Sequence, residues 1–334
     1  CSTAGEITTD GPARRHSVAV MALKSDSISF FSGLGEHIEK SATEAGKAAA
    51  DAVKGKALQG KLDAFIMLPD VLAGNGADIV RGVLQSLGSH FPVVGGAAGD
   101  DFEFKRTYQY LDGKVYSGAV VCLGLQGNFK MGIGVKHGWI PIGLPKKVTK
   151  SIGAVLHELD GKPAIQIYEE YFGKELASGL RTETLAKLAI TYPLGMQVAG
   201  SEELLIRDPI TVDKKGSITC AAEIPEGSDI RLMIGSREEA VKVAKIAAEN
   251  ALAQLEGGKP KAIIIFNCIA RNKLFGEHSG DEIDAIQEAL GSEVPLIGFY
   301  TYGEQAPLGG EVRTINKCNP AFHNETVVIF VLGE

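Results

Sequence analysis

Apolar residues along this chain fall into two kinds of short pattern. Ala64-Phe-Ile-Met-Leu68 and Ile263-Ile-Ile-Phe266 are unbroken runs rich in β-branched and aromatic residues, as expected of strands buried on both faces. Behind them, Ile79, Val80, Val83, Leu84 and Leu87, and again Ile283, Ile286, Ala289 and Leu290, recur at helical spacing and predict one apolar helix face each. Gly88 and Gly291 stand where each helix should stop. Ser279-Gly-Asp-Glu282 has the spacing of a capping box. Pro92-Val-Val-Gly95 and Pro295-Leu-Ile-Gly298 then predict short returning strands, which completes two βαβ units. Two longer amphipathic patterns predict covering helices: Gly35 to about Gly55, with Ile38, Ala42, Ala45, Ala49 and Val53 on one face, and Arg237 to Leu255, with Val241, Ala244, Ala248 and Leu252.

A glycine-bearing motif follows each returning strand. It reads Gly95-Gly-Ala-Ala-Gly-Asp100 in one unit and Gly298-Phe-Tyr-Thr-Tyr-Gly-Glu304 in the other, and a third version, Cys1-Ser-Thr-Ala-Gly-Glu6, opens the chain. Downstream lie the strand candidates Ser17–Leu23, Gly118–Gly124 and Thr326–Leu332. Such self-similarity indicates a repeated βαβ-plus-hairpin unit. The first copy lacks a leading strand and helix, so the numbering is expected to begin inside a domain. Between the units, Gly132–Gly143 predicts a glycine-interrupted strand, Ser151–Leu159 a helix, Asp160–Pro163 a turn, and the residues through Tyr171 another helix. His137 and Trp139, flanked by glycines, are expected in a core rather than a pocket wall. These elements predict an α/β fold of the mixed α+β kind, with mixed sheets flanked by helices, in two domains spanning 1–160 and 161–334.

Composition narrows the class. At 334 residues, 45% apolar and 22% charged, the chain is that of a globular protein. No apolar run approaches the roughly 20 residues of a membrane span. A net charge of −7 without a basic cluster argues against nucleic acid as partner. The five cysteines form no CxxC pair and no zinc-like spacing; Cys122 and Cys220 fall in apolar runs as core thiols, whereas Cys318 falls in a polar loop where exposure is expected. A reducing cytoplasmic setting, with no metal and no cofactor, is the simplest expectation.

The strings CSTAGE, GGAAGD, HGWIPIG with ELDGKPA, and above all PLIGFYTYGEQAP resemble the FIST family, over nearly the whole chain. The resemblance implies tandem N- and C-terminal sensory domains that bind small ligands, amino acids or their derivatives being the proposed class, in proteins that often carry a signalling output. No output domain accompanies the pair in this sequence, so a separate output protein is expected as partner. The family brings no catalytic residues to transfer.

The residues point to the same kind of site. In open α/β sheets ligands bind beyond the carboxyl ends of strands, where glycine lets backbone amides approach. Three such motifs converging on one or two clefts would offer the carboxylates of Glu6, Asp100 and Glu304 to an ammonium group, with Ser2, Thr3, Tyr300, Thr301 and Tyr302 as polar neighbours and Gly96 beneath them. Arg271, three residues after Cys268 and following Asn267 at a strand end, is the candidate clamp for a ligand carboxylate. The alternative for these groups is local: each acid caps its own turn, and Arg271 pairs with one of them. The expected function is a sensory protein that binds a small zwitterionic metabolite bridging motifs from both domains and responds by population shift. The alternative is an enzyme acting on a similar metabolite through Cys268, with His278 as the distant base, or through a motif carboxylate.

Overall fold

The computed structural model describes residues 1–11, 16–173, 184–199, 201, 203–312 and 318–334. Two mixed sheets face each other. The first runs in the order Glu6–Thr8, Leu296–Thr301, Pro260–Cys268, Val327–Gly333, Lys130–Lys136. The second runs Ile28–Gly35, Val120–Gly127, Ala64–Pro69, Val93–Gly96, Glu304–Pro307, Pro320–His323. Ile66, Val94 and Leu125 of the second sheet share one buried cluster with Ile133, Phe266, Val328 and Phe330 of the first. Helices close the outer faces. Ala42–Lys54 and Gly76–Leu87 bury Ala45, Ala49, Val53, Ile79 and Val83 against Phe65 and Met67, while Arg237–Gln254 and Ser279–Leu290 bury Ala244, Ala248, Ile283 and Ile286 against Ile263, Ile265 and Ile329. This layering explains why the central strands read as unbroken apolar runs: both of their faces are covered.

The two βαβ units form as expected. Ala64–Pro69 pairs parallel with Val93–Gly96 and antiparallel with Val120–Gly127; Pro260–Cys268 pairs parallel with Leu296–Thr301 and antiparallel with Val327–Gly333. Each sheet nevertheless takes strands from both sides of the expected division near Asp160, because Glu6–Thr8 and Lys130–Lys136 join the first sheet and Glu304–Pro307 and Pro320–His323 the second. A third, antiparallel sheet, from Trp139–Ile152 through Asp229–Gly235, carries its own core of Val148, Leu156, Tyr168, Leu194, Ile230 and Leu232. The fold is thus mixed α/β in two domains. Among the described residues no helix is long and apolar enough to cross a membrane.

Several expectations are corrected. Ser151–Leu159 is not a helix: Trp139–Ile152 turns back into the strand Val155–Leu159, which pairs antiparallel with it through a register shift near Glu158 and buries Leu156 and Leu159. Gly132–Gly143 divides at Gly138 into two strands that enter different sheets. The first covering helix starts at Ala42, capped by Ser41, and Gly35 instead ends a strand. Ser17–Leu23 forms no strand, and Val18 and Val20 are 88% and 85% exposed. Cys318 is fully buried.

The chain passes from the first sheet to the second between Thr301 and Glu304, through Gly303 at φ +133°. A Cβ there would lie 2.2 Å from the Phe322 ring. Gly113, also at positive φ, has nothing within 4 Å. Gly303→Ala should therefore cost about 2–4 kcal/mol and Gly113→Ala about 1 kcal/mol; denaturant unfolding of the two variants checks this, and equal losses would show that the sheet crossing has room to spare.

Candidate functional site

All three glycine-bearing motifs meet where the two sheets exchange strands. Ala4 N–H donates to Tyr300 O at 3.0 Å and Tyr300 N–H to Gly5 O at 2.8 Å; Ala97 N–H donates to Gly303 O at 2.8 Å and Gly99 N–H to Ser2 O at 3.1 Å. The small residues make this approach possible, since a Cβ on Gly96 would meet Thr301 Cγ2 at 2.5 Å and one on Gly99 the Ala4 nitrogen at 2.7 Å. The first and third motifs share one local form. Thr3 Oγ1 donates to Glu6 and Thr301 Oγ1 to Glu304, and each threonine hydroxyl also accepts from the following glycine N–H. Gly5 and Gly303 have φ of +129° and +133°. The second motif differs: Asp100 accepts from the amides of Phe104, Lys105 and Arg106 and from the Tyr302 hydroxyl. These backbone bonds, with the Tyr302 hydroxyl, hold its carboxyl below the usual range despite partial burial.

The motif acids thus divide among three environments. Asp100 organises its own loop. Glu6, bonded to Thr3 and Ser17, lies with Thr3 at the rim of a cleft of about 400 Å³ whose walls are mostly apolar, among them Ile66, Leu123, Ile264 and Phe299. Ser2 is tied to Tyr108. Glu304 alone is fully buried, at the carboxyl ends of the two parallel strands of the third-motif unit.

Around Glu304 the interior is unusually polar. Arg271, fully buried, donates through Nε at 2.9 Å and through a second nitrogen to Glu282 Oε1, through another to the His137 carbonyl, and to the Ala240 carbonyl at 3.0 Å. Its guanidinium carbon lies 5.7 Å from the Trp139 ring and 5.6 Å from that of Phe275. Glu282 also accepts from Asn267 at 2.7 Å. This pair displaces the expected capping box, because Glu282 turns inward to Arg271 and the helix starts at Ser279 without a side-chain cap. The partner of Arg271 is therefore a helix acid rather than a motif acid. His137 accepts from Trp139 N–H through Nδ1, and burial with the neighbouring Arg271 and Lys136 charges lowers its pKa to about 3, so it is a neutral core histidine.

Sequence reasoning passed over two further acids. Glu325 is fully buried, stands at φ +56° in the turn before Val327–Gly333, and has no hydrogen-bond partner on either carboxylate oxygen. Asp208 is only partly buried as a residue, but its Oδ1 is sealed and unpartnered. Glu325 feels the charges of Asp208 and Arg271 and then of Glu304. Burial raises Glu304 to about 8, against the lowering hydrogen bonds from Thr301 and Thr326; it raises Asp208 to about 7, and it drives Glu325 upward as well. Asn267 Oδ1 and Asn324 Oδ1, both buried, also lack partners. The unmet atoms of this cluster are all acceptors. The legible signals were polar residues close to apolar strand candidates, Arg207-Asp208 after Leu204-Leu-Ile206 and Asn324-Glu325 before Val327-Val-Ile-Phe330. Cys268, beside Glu304, is also buried, and its thiol is pushed well up by that burial, the opposite of an activated thiolate. His278 is exposed and faces Asp281. Among the described residues no three His, Cys, Asp or Glu side chains are placed to hold a metal ion. A cavity of about 10 Å³, lined by His137, His323 and Thr326 among others, adjoins the region; that is about the volume of one water.

Residues 1–162 match the FIST N domain and residues 164–307 the FIST C domain. The chain belongs to the FIST family. FIST domains are sensory, small-ligand-binding modules of signal transduction. The FIST chain is similar to the uncharacterized protein MJ1623 of Methanocaldococcus jannaschii, 27% identical with all of this chain and 68% of that protein aligned. It is also similar to the uncharacterized protein Rv0628c of Mycobacterium tuberculosis, 27% identical over 68% of this chain and 60% of that protein, so it spans less than two thirds of the mycobacterial relative. Among solved structures, PurLQS from Thermotoga maritima aligns over 92% of this chain with a TM-score of 0.24 and 12% identity, too distant to carry an argument.

Two outcomes follow from the buried groups. Arg271→Ala leaves Glu282 desolvated without its partner and should destabilise the fold by about 3–5 kcal/mol; replacing both residues with apolar ones of similar volume should recover part of this, as read by thermal and denaturant unfolding. Glu304 has a folded pKa of about 8 against an ordinary 4.5. Its contribution to stability is complete below pH 4.5, is lost as pH rises toward about 8, and changes no further above that. One such proton sets a slope of at most about 1.4 kcal/mol per pH unit. Unfolding free energies measured from pH 4 to 9 should fall with pH, and Glu304→Gln should flatten part of the decline.

Proposed function

We propose that this FIST tandem is a sensor for a small amine-bearing metabolite, an amino acid or a close relative, recognised through its ammonium group by Asp208, Glu304 and Glu325. One observation carries the reading: Glu325 is fully buried in a left-handed turn with neither carboxylate oxygen partnered, next to two further acids. Unpaired buried acceptors are costly unless a donor reaches them. Strained backbone at such a position is a feature of ligand clamps. An ammonium supplies three donors and a positive charge, which is what the cluster lacks. In the closed arrangement protons hold these acids neutral. Ligand binding selects an opened arrangement in which the ammonium replaces them, and the resulting shift in population is the signal passed to a separate output protein. All five cysteines are free, which supports a reducing cytoplasmic setting.

Since ammonium and proton compete for the same carboxylates, affinity should rise as pH increases through about 7 and 8, where Asp208 and Glu304 ionise. Calorimetry with the common amino acids and their decarboxylated amines should find binders that show this trend and undergo no turnover. Glu325→Gln should weaken them at least about tenfold, roughly 1.4 kcal/mol, while the protein remains folded. Binding that is indifferent to both pH and Glu325→Gln would place recognition elsewhere.

A further inference from the structure

The loop that follows the second motif is held in an unfavourable backbone conformation. Asp101, Phe102 and Phe104 stand at φ of +55°, +71° and +52°, a left-handed region that bulky side chains rarely occupy and keep only where their surroundings impose it. A single side chain from the third motif touches this loop at three points. The Tyr302 hydroxyl accepts from the Phe102 amide at 2.7 Å and donates to Asp100, and the Tyr302 ring stacks on that of Phe104 with centroids 4.6 Å apart. Asp100 in turn accepts from the amides of Phe104, Lys105 and Arg106 at 2.9, 2.7 and 2.9 Å.

Tyr302 also sits inside the sheet crossing. Its neighbours Thr301 and Gly303 form the bridge to Glu304, because the Thr301 hydroxyl donates to the Glu304 carboxylate and accepts from the Gly303 amide at 3.3 Å. Tyr302 N–H donates to the Ala97 carbonyl at 3.2 Å and Ala97 N–H to Gly303 O at 2.8 Å, so the crossing is fastened to the motif that carries Asp100. Opening Glu304 to a ligand breaks the Thr301 bridge and frees the backbone on which Tyr302 is mounted.

We propose that Tyr302 is a latch that converts the state of the buried Glu304 bridge into the conformation of the Asp100–Arg106 loop. The proposal rests on the sensor reading above and names the element that carries its signal outward. With the bridge closed, Tyr302 holds the loop left-handed. With the bridge open, the hydroxyl leaves Asp100 and the Phe102 amide, the Phe104 ring loses its stack, and the loop relaxes to backbone that its side chains favour. The loop thereby supplies the two arrangements that a transmitted signal needs. Coupling of this kind is reciprocal, so loosening the latch also favours opening at Glu304.

The test is amide hydrogen exchange on the full chain without ligand. Thr301→Val removes the bridging hydroxyl and keeps a β-branched strand residue; it should speed exchange of the Lys105 and Arg106 amides, which bond to Asp100 and not to Tyr302, at least tenfold. Tyr302→Phe keeps the ring and should do the same, and it should also speed the Thr326 amide, which bonds to Glu304 at 3.2 Å. The Ile263 amide, bonded to the Pro295 carbonyl at 2.9 Å at the other end of that sheet, should keep its wild-type rate in both variants. The double variant should exchange at Lys105 and Arg106 no faster than Tyr302→Phe alone. Wild-type rates at Lys105 and Arg106 in Thr301→Val, additive acceleration in the double variant, or equal acceleration at Ile263 would overturn the latch. Should Thr301→Val fail to fold, an unchanged Thr326 rate in Tyr302→Phe overturns it alone. Because no ligand takes part, failure here leaves the ammonium site standing, and failed calorimetry removes the ligand without removing the coupling.

Discussion

The arrangement depends on a backbone crossing. Two facing sheets share strands because the chain changes sheet between Thr301 and Glu304, and the strand after Gly5 joins the far edge of the first sheet through an equivalent turn. At both places a threonine hydroxyl bridges the following glycine amide and the glutamate carboxylate. Close approach of three backbones excludes side chains, which is why the motifs are written in glycine, alanine and serine. Because the crossing draws Glu304 inward between layers, it also fixes where an acid has to be buried. The polar interior follows from the topology.

Within that interior two groups of charges obey different rules. Arg271 and Glu282 form a finished unit, with carbonyls of His137 and Ala240 taking further guanidinium donors and aromatic faces covering the cation. Such a pair is stable because its desolvation is matched by geometry. Asp208, Glu304 and Glu325 are less complete: burial pushes each toward neutrality, and acceptor atoms of Asp208 and Glu325 stay unmet. A completed pair serves the fold, whereas an incomplete cluster at the carboxyl ends of parallel strands is the part of the molecule chemically prepared for something else. The family's sensory role and this imbalance point the same way.

Legibility followed the locality of the forces. Helix faces such as Ile79–Leu87 and Arg237–Leu255, and the unbroken central strands, were written in periodicity because burial acts residue by residue. The motifs stood out because backbone contact admits only small residues. Ser151–Leu159 misled, since a strand covered on one face and a short helix share apolar positions at spacings too brief to separate. Ser279–Glu282 misled for another reason: a capping acid and an ion-pair acid carry the same letter, and a buried guanidinium outcompetes a backbone amide for it.

The sequence by itself determined the family, the strand and helix inventory of the βαβ units, and the small-residue motifs, because each is encoded by neighbours a few positions apart. Only the tertiary structure decided that strands from both ends interleave, that Arg271 answers to Glu282, and that Asp208 and Glu325 join Glu304 in one desolvated cluster. Those outcomes depend on which groups, far apart along the chain, lose water together, and no local pattern carries that information.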